Sequence, residues 1–185
     1  MIKIDSIHTF KEAKSLYNEY KNLIELVEID KPNEPLKVGI LGELYTLMEP
    51  FSNYFIEKEL AKYGMEVHRF ITVSHLLTKR KKHNDKLAKT ASEYVKYHLG
   101  ADGTESVAKG KELAQKGFDG LIHTKPFGCM PEVNAMPMLQ NISKDYKIPV
   151  LYFSFDSQTS ETGIKTRLEA FYDMLMMKKR SSLKN

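Results

Sequence analysis

From Ile7 to Ile29 apolar residues recur at helical spacing, with Ala13, Leu16, Tyr17, Tyr20, Leu23, Ile24 and Val27 on one stripe. That pattern predicts an amphipathic helix. Lys31, Pro32, Asn33, Glu34 and Pro35 stop it and make a short linker. No core strand precedes the helix, so its stripe is expected to dock on something that follows or on a preceding segment. Lys37 to Leu41 is a short apolar run rich in β-formers that ends in Gly42 and Glu43. A helical pattern from Pro50 to Tyr63 follows, Gly64 closes it, and Met65 to Ile71 reads as a second strand. This is a β-α-β unit, for which a right-handed crossover and parallel strands are expected.

Ser74 to Leu99 is polar and helical in tone, with Tyr94, Val95 and Leu99 as an apolar edge. After a turn at Gly100 to Gly103, Thr104 is expected to cap a helix that runs to Gly117. Then come a strand from Asp119 to His123, a loop holding Cys129, and a helix from about Pro131 to Tyr146. Ile148 to Phe155 is the most strand-like run in the chain, and Glu161 to Met177 reads as the closing helix before a frayed basic tail. Strands alternating with helices predict an α/β fold: a Rossmann-like, open, mostly parallel four-stranded sheet with helices on both faces, plus the N-terminal helix. The expected division is residues 1–36 for the N-terminal helix and linker, 37–178 for the α/β domain, and 179–185 for a flexible tail.

Such sheets hold ligands outside the carboxyl ends of their strands. Polar clusters fall at those ends: Gly42, Glu43 and Tyr45 after the first strand, Lys125 to Cys129 after the third, and Asp156, Ser157, Gln158 and Thr159 after the fourth. Cys129 is the only cysteine, and Pro131 and Glu132 behind it suit the first turn of a helix. A thiol between a strand end and a helix start is favoured as thiolate, the form a metal ligand or a nucleophile requires.

Composition narrows the classes. Hydrophobic residues at 42% and charged ones at 28% fit a soluble cytoplasmic protein, and the net charge of +4 is mild. The basic run from Lys79 to His83 reads as a solvated helix end, so neither a nucleic acid nor a membrane is expected as partner. One cysteine excludes an internal disulfide and any iron–sulfur site built only from this chain's thiols.

Three strings carry a resemblance: GELYTLMEPFSNYFIEKELAKYGMEV, HLGADGTESVAKGKELAQKGFDGLIHTKPFGCMPE and IPVLYFSFDSQTSETGIKTRLEAF. Over about Leu36 to Asp173 the chain resembles the C-terminal part of the 2-hydroxyacyl-CoA dehydratase related proteins, a group that includes the CoA-substrate-specific enzyme activases. The resemblance implies an oxygen-sensitive 4Fe–4S protein of anaerobic metabolism, active in low-potential electron transfer or in dehydration of CoA esters and partnered by an ATP-dependent activator. It implies that Cys129 is a cluster ligand. It also implies that the remaining cysteines come from a missing domain or subunit, so that the chain is a fragment that is inactive and holds no cluster alone. Gly42, Glu43, Gly128, Glu132, Asp156, Gln158 and Thr159 are the candidate cofactor-contacting residues, with no catalytic act assigned to any of them. Ser157 and Ser160 depart from the acidic and small residues usual in that loop of the family.

The alternative is a non-catalytic nucleotide- or CoA-binding or assembly module of the same fold without a cluster. Plainer readings stand beside each candidate residue. Cys129 alone is also a small buried hydrophobe, Glu132 a first-turn acid, and His123 a structural hydrogen-bonding residue. Gly103, Thr104, Glu105 and Ser106 offer either an anion site or a plain cap. Arg167 and Glu169 by default form an ion pair that pins the last helix, and the methionines from Met130 to Met138 and from Met174 to Met177 read as core filler. Nucleophilic chemistry at Cys129 lacks a base other than His123.

Overall fold

The computed structural model describes residues 7–29, 32–71, 86–87 and 89–182. The basic run from Lys79 to His83 and much of the 74–99 stretch lie outside them. The chain divides into two units, Met1–Asn33 and Glu34–Asn185. The first carries helix α1, Phe10–Glu25. Thr9 and Glu12 cap it reciprocally: the Thr9 hydroxyl accepts from the Glu12 N–H, and the Glu12 carboxylate from the N–H groups of His8 and Thr9. No residue of α1 is buried within its own unit.

The second unit is a parallel sheet in the order β2-β1-β3-β4, built from β1 (Lys37–Gly42), β2 (Glu66–Arg69), β3 (Gly120–Pro126) and β4 (Val150–Phe155). β1, β3 and β4 are largely apolar runs because both faces are covered, whereas β2, at the sheet edge, reads Glu-Val-His-Arg and is only partly buried. On one face Val38, Ile40, Ile122 and Phe153 pack against α2 (Leu44–Met48), α3 (Ile56–Lys62) and α6 (Glu161–Ser182), which contribute Leu47, Ile56, Leu60, Leu168 and Phe171. On the other, Leu41 and Leu121 meet α4 (Gly103–Gln115) and α5 (Met130–Asp145) through Val107, Leu113, Ala135 and Leu139. Each fully buried aliphatic side chain here stabilises the fold by about 2 kcal/mol. Tyr94, Val95 and Leu99 pack against this second cluster, as their spacing predicts.

Several elements differ from the expectation. The helix expected from Pro50 to Tyr63 starts only at Ile56, because Tyr54 and Phe55 take left-handed backbone angles of φ 56° and 55°. Asn53 fixes the break: its amide donates to the Thr46 carbonyl at 2.7 Å and its side-chain oxygen accepts from the Ile56 N–H at 3.2 Å. A separate short helix, α2, precedes it. Strand β3 runs past His123 to Pro126, so Lys125 and Pro126 belong to the strand rather than to the loop. α6 continues past Met177 to Ser182, and Lys178 and Lys179 donate to the carbonyls of Lys147 and Glu34. Arg167 pins α6 without an ion pair among the described residues; its guanidinium donates to the Tyr152 carbonyl at 2.6 Å and lies 4.6 Å from the Phe153 ring centre. Met130, Met174 and Met177 are exposed and fill no core.

Candidate functional site

The strand order places the topological switch between β1 and β3, and the crevice beyond their carboxyl ends is where the fold holds ligands. The two strand ends are drawn tightly together. Gly42 has φ +133°, and a Cβ there would stand 1.8 Å from the Thr124 carbonyl oxygen, so only glycine fits. The next N–H, of Glu43, donates to that same carbonyl at 3.0 Å. The Glu43 carboxylate caps α2, accepting from the N–H groups of Tyr45 and Thr46 at 2.9 Å each. Asp102, at the start of α4, accepts from the Leu44 N–H at 3.2 Å and ties that helix to the same corner.

The loop after β3 is joined to the end of β4 by the Phe127 N–H donating to the Phe155 carbonyl at 2.9 Å. Cys129 occupies the N-cap position of α5, half-buried, and its side chain makes no capping hydrogen bond. Its N–H donates to the Pro126 carbonyl at 3.2 Å. Gly128 is exposed, with nothing within 4 Å of where a Cβ would stand. Lys125 is buried beside this loop, and its ammonium donates to the Phe127 carbonyl at 3.1 Å.

Glu132 settles between its two expected roles. It is a first-turn acid, but its side chain turns inward and is fully buried. One carboxylate oxygen lies 2.6 Å from His123 Nε2 and the other accepts from the Ser106 hydroxyl at 3.1 Å, so β3, α4 and α5 meet at one carboxylate. His123 is therefore a structural partner, within β3 and not at its end, with the Tyr152 ring edge-on at 5.6 Å. Its Nδ1 has no hydrogen-bond partner among the described residues. The α4 start is equally committed: Thr104 and Ser106 are buried, and the Thr104 hydroxyl accepts from the Leu99 N–H at 2.9 Å rather than capping the helix.

Asp156, Gln158 and Thr159 form a self-contained turn. The Asp156 carboxylate accepts from the Gln158 N–H at 2.9 Å and from the Thr159 hydroxyl at 3.1 Å. Tyr54 clips this turn by donating to the Thr159 carbonyl at 2.7 Å, with its ring stacked on Phe155. The pairing of Glu132 with His123, nine residues earlier, carries no periodic signal in the sequence.

Among the described residues no group of three or more His, Cys, Asp or Glu side chains is placed to hold a metal ion. None of the described helices is long and apolar enough to cross a membrane. No curated protein matches the chain. The family model for the 2-hydroxyglutaryl-CoA dehydratase D-component matches residues 2–175.

Proposed function

Because the chain belongs to the family of the 2-hydroxyglutaryl-CoA dehydratase D-component, we propose that it is a cysteine-bearing part of a 2-hydroxyacyl-CoA dehydratase system. In this reading Cys129 supplies one thiolate to a 4Fe–4S cluster completed by cysteines from outside the chain. What supports it above all is the position of the only thiol, half-buried at the helix start beyond β3, beside the switch between β1 and β3. The donor set limits the claim. A 4Fe–4S cluster takes four ligands, and this chain has one cysteine. Its residues fit one ligand position and not the whole group.

When bound, such a cluster supplies one-electron chemistry at low potential. The chain's own residues do the holding. The carboxylate of Glu132, bonded to His123 and Ser106, fixes the first turn of α5 on the sheet and so fixes where Cys129 stands. Gly128 leaves the approach to the sulfur open. Gly42, Glu43, Asp156 and Thr159 shape the rim through internal bonds, while the exposed Gln158 amide is the group of that turn available to a CoA ester. The ATP-dependent activator and the cysteine-bearing partner belong to the same reading.

Anaerobic reconstitution with iron and sulfide tests it. The isolated chain is expected to give no stable 4Fe–4S spectrum, and the assembly with its partner component is expected to give one that Cys129→Ser weakens or abolishes. A stable cluster in the isolated chain would contradict the one-ligand argument. An unchanged spectrum and dehydration rate in the Cys129→Ser assembly would leave the chain as a clusterless binding module.

A further inference from the structure

The sheet has two outer edges, and they are built differently. β2 is four residues long and carries Glu66, His68 and Arg69, so its shortness and charge discourage a further strand. β4 is six residues long, Val150 to Phe155, with no charge, proline or glycine among them. That composition is the signature of a segment prone to pair with strands of other chains. Alternation along β4 says which of its backbone groups are open. The Leu121 N–H donates to the Pro149 carbonyl and the Phe127 N–H to the Phe155 carbonyl, so the odd-numbered residues of β4 bond to β3. The backbone groups of Val150, Tyr152 and Ser154 therefore point to the side where the sheet ends.

The chain fills part of that side itself. Ile164, Leu168 and Phe171 seat α6 on the sheet, and Arg167 lies beside them on the flank next to β4. Its guanidinium donates to the outward Tyr152 carbonyl at 2.6 Å and lies 4.6 Å from the Phe153 ring centre, so a charged hydrogen bond and a cation–π contact both hold it there. The Thr159 hydroxyl, just ahead of α6, reaches the next outward carbonyl, that of Ser154, at 3.4 Å. About three turns along α6 from Arg167, Lys178 donates to the Lys147 carbonyl just before β4. We propose that Arg167 is a latch on a latent strand-addition edge. Seated on the Tyr152 carbonyl, it takes the acceptor at the middle of the open edge and keeps a bulky charge where a neighbouring strand would lie. Every copy of the chain carries the same edge, so without the latch β4 pairs with β4 of a second copy, each serving as the other's added strand. The latch does not depend on the role given to Cys129.

Sedimentation of the full chain over a concentration series tests it. Arg167→Ala is expected to self-associate at a concentration about tenfold or more below that of the wild type, the worth of one backbone hydrogen bond regained by each copy. Arg180→Ala, exposed farther along α6, removes the same charge and is expected to behave as the wild type. Adding Ser154→Pro to Arg167→Ala is expected to reverse the association. The Ser154 N–H points outward, so proline there costs no bond to β3 while its ring obstructs the edge. Association that arose from partial unfolding would not be cured by a proline. In the associated Arg167→Ala protein, amide exchange is expected to slow at Tyr152 and Ser154, whose N–H groups are then bonded across the new pair. Melting identifies a variant that fails to fold, and for the doubly changed chain the exchange readout then decides alone. An Arg167→Ala chain that associates no more readily than the wild type overturns the proposal. So does association that leaves those two amides unslowed, or that persists in a folded chain carrying Ser154→Pro as well.

Discussion

Glu132 and His123 are both fully buried and lie 2.6 Å apart, so each is the other's answer to the loss of water. Glu132→Leu strips that answer away and leaves neither ring nitrogen of His123 with a partner among the described residues, since Nδ1 has none there already. The expected cost is about 3 kcal/mol in urea unfolding. The double change His123→Phe, Glu132→Leu is expected to recover more than half of it, since a phenyl ring keeps the edge-on contact to Tyr152. A loss below about 1 kcal/mol in the single variant would show that the carboxylate does not clamp the three elements. Gly128 gives the opposite profile. Nothing stands near its Cβ position, so Gly128→Ala is expected to shift the melting temperature by no more than about 2 °C. Cluster formation in the assembled protein is nevertheless expected to fall, because the added methyl stands beside Cys129; equal cluster yields would mean that nothing approaches the sulfur from that side.

At the scale of elements, what could be read from the chain and what could not divide along physical lines. β1, β3 and β4 are apolar runs with both faces covered, so composition alone marks them. Pro126 was expected in the loop after His123 but is the last residue of β3, for a reason set by the neighbour. The Phe127 N–H points to β4, and the Thr124 carbonyl points to the β1 side, so by alternation the Pro126 nitrogen faces the side where β1 has already ended at Gly42. A missing donor there costs nothing. The break at Tyr54 and Phe55 is only partly local: Asn53 bonds to Thr46 and Ile56, while a distant carbonyl, that of Thr159, and the Phe155 ring hold Tyr54 in place. The site followed the same rule: the convergence of strand ends came from element order, whereas the inward turn of Glu132 depended on long-range pairing. On α4, burial pushes the Glu112 carboxyl up, but hydrogen bonds from Lys109 and Lys116, at 2.8 and 2.6 Å, with their charges, outweigh it and hold it at about 2. Its folded value lies below the ~4.3 of an unfolded glutamate, so the stability it contributes is present above that pH and lost as the pH falls toward 2. Glu112→Gln is expected to melt below the wild type at neutral pH and to converge with it near pH 2; parallel curves over that window would show that the two lysines do not act through this carboxylate.

For the whole molecule, every residue of both buried clusters lies between Leu36 and Leu175, inside the unit Glu34–Asn185. The terms that make unfolding cooperative therefore reside in that unit, and α1 adds an apolar stripe but no buried residue. A chain shortened to Glu34–Asn185 is expected to melt in a single transition within about 2 °C of the full chain under dilute conditions. Calorimetry of the full and the shortened chain side by side checks this. Loss of the cooperative transition on shortening would place part of the core outside Glu34–Asn185.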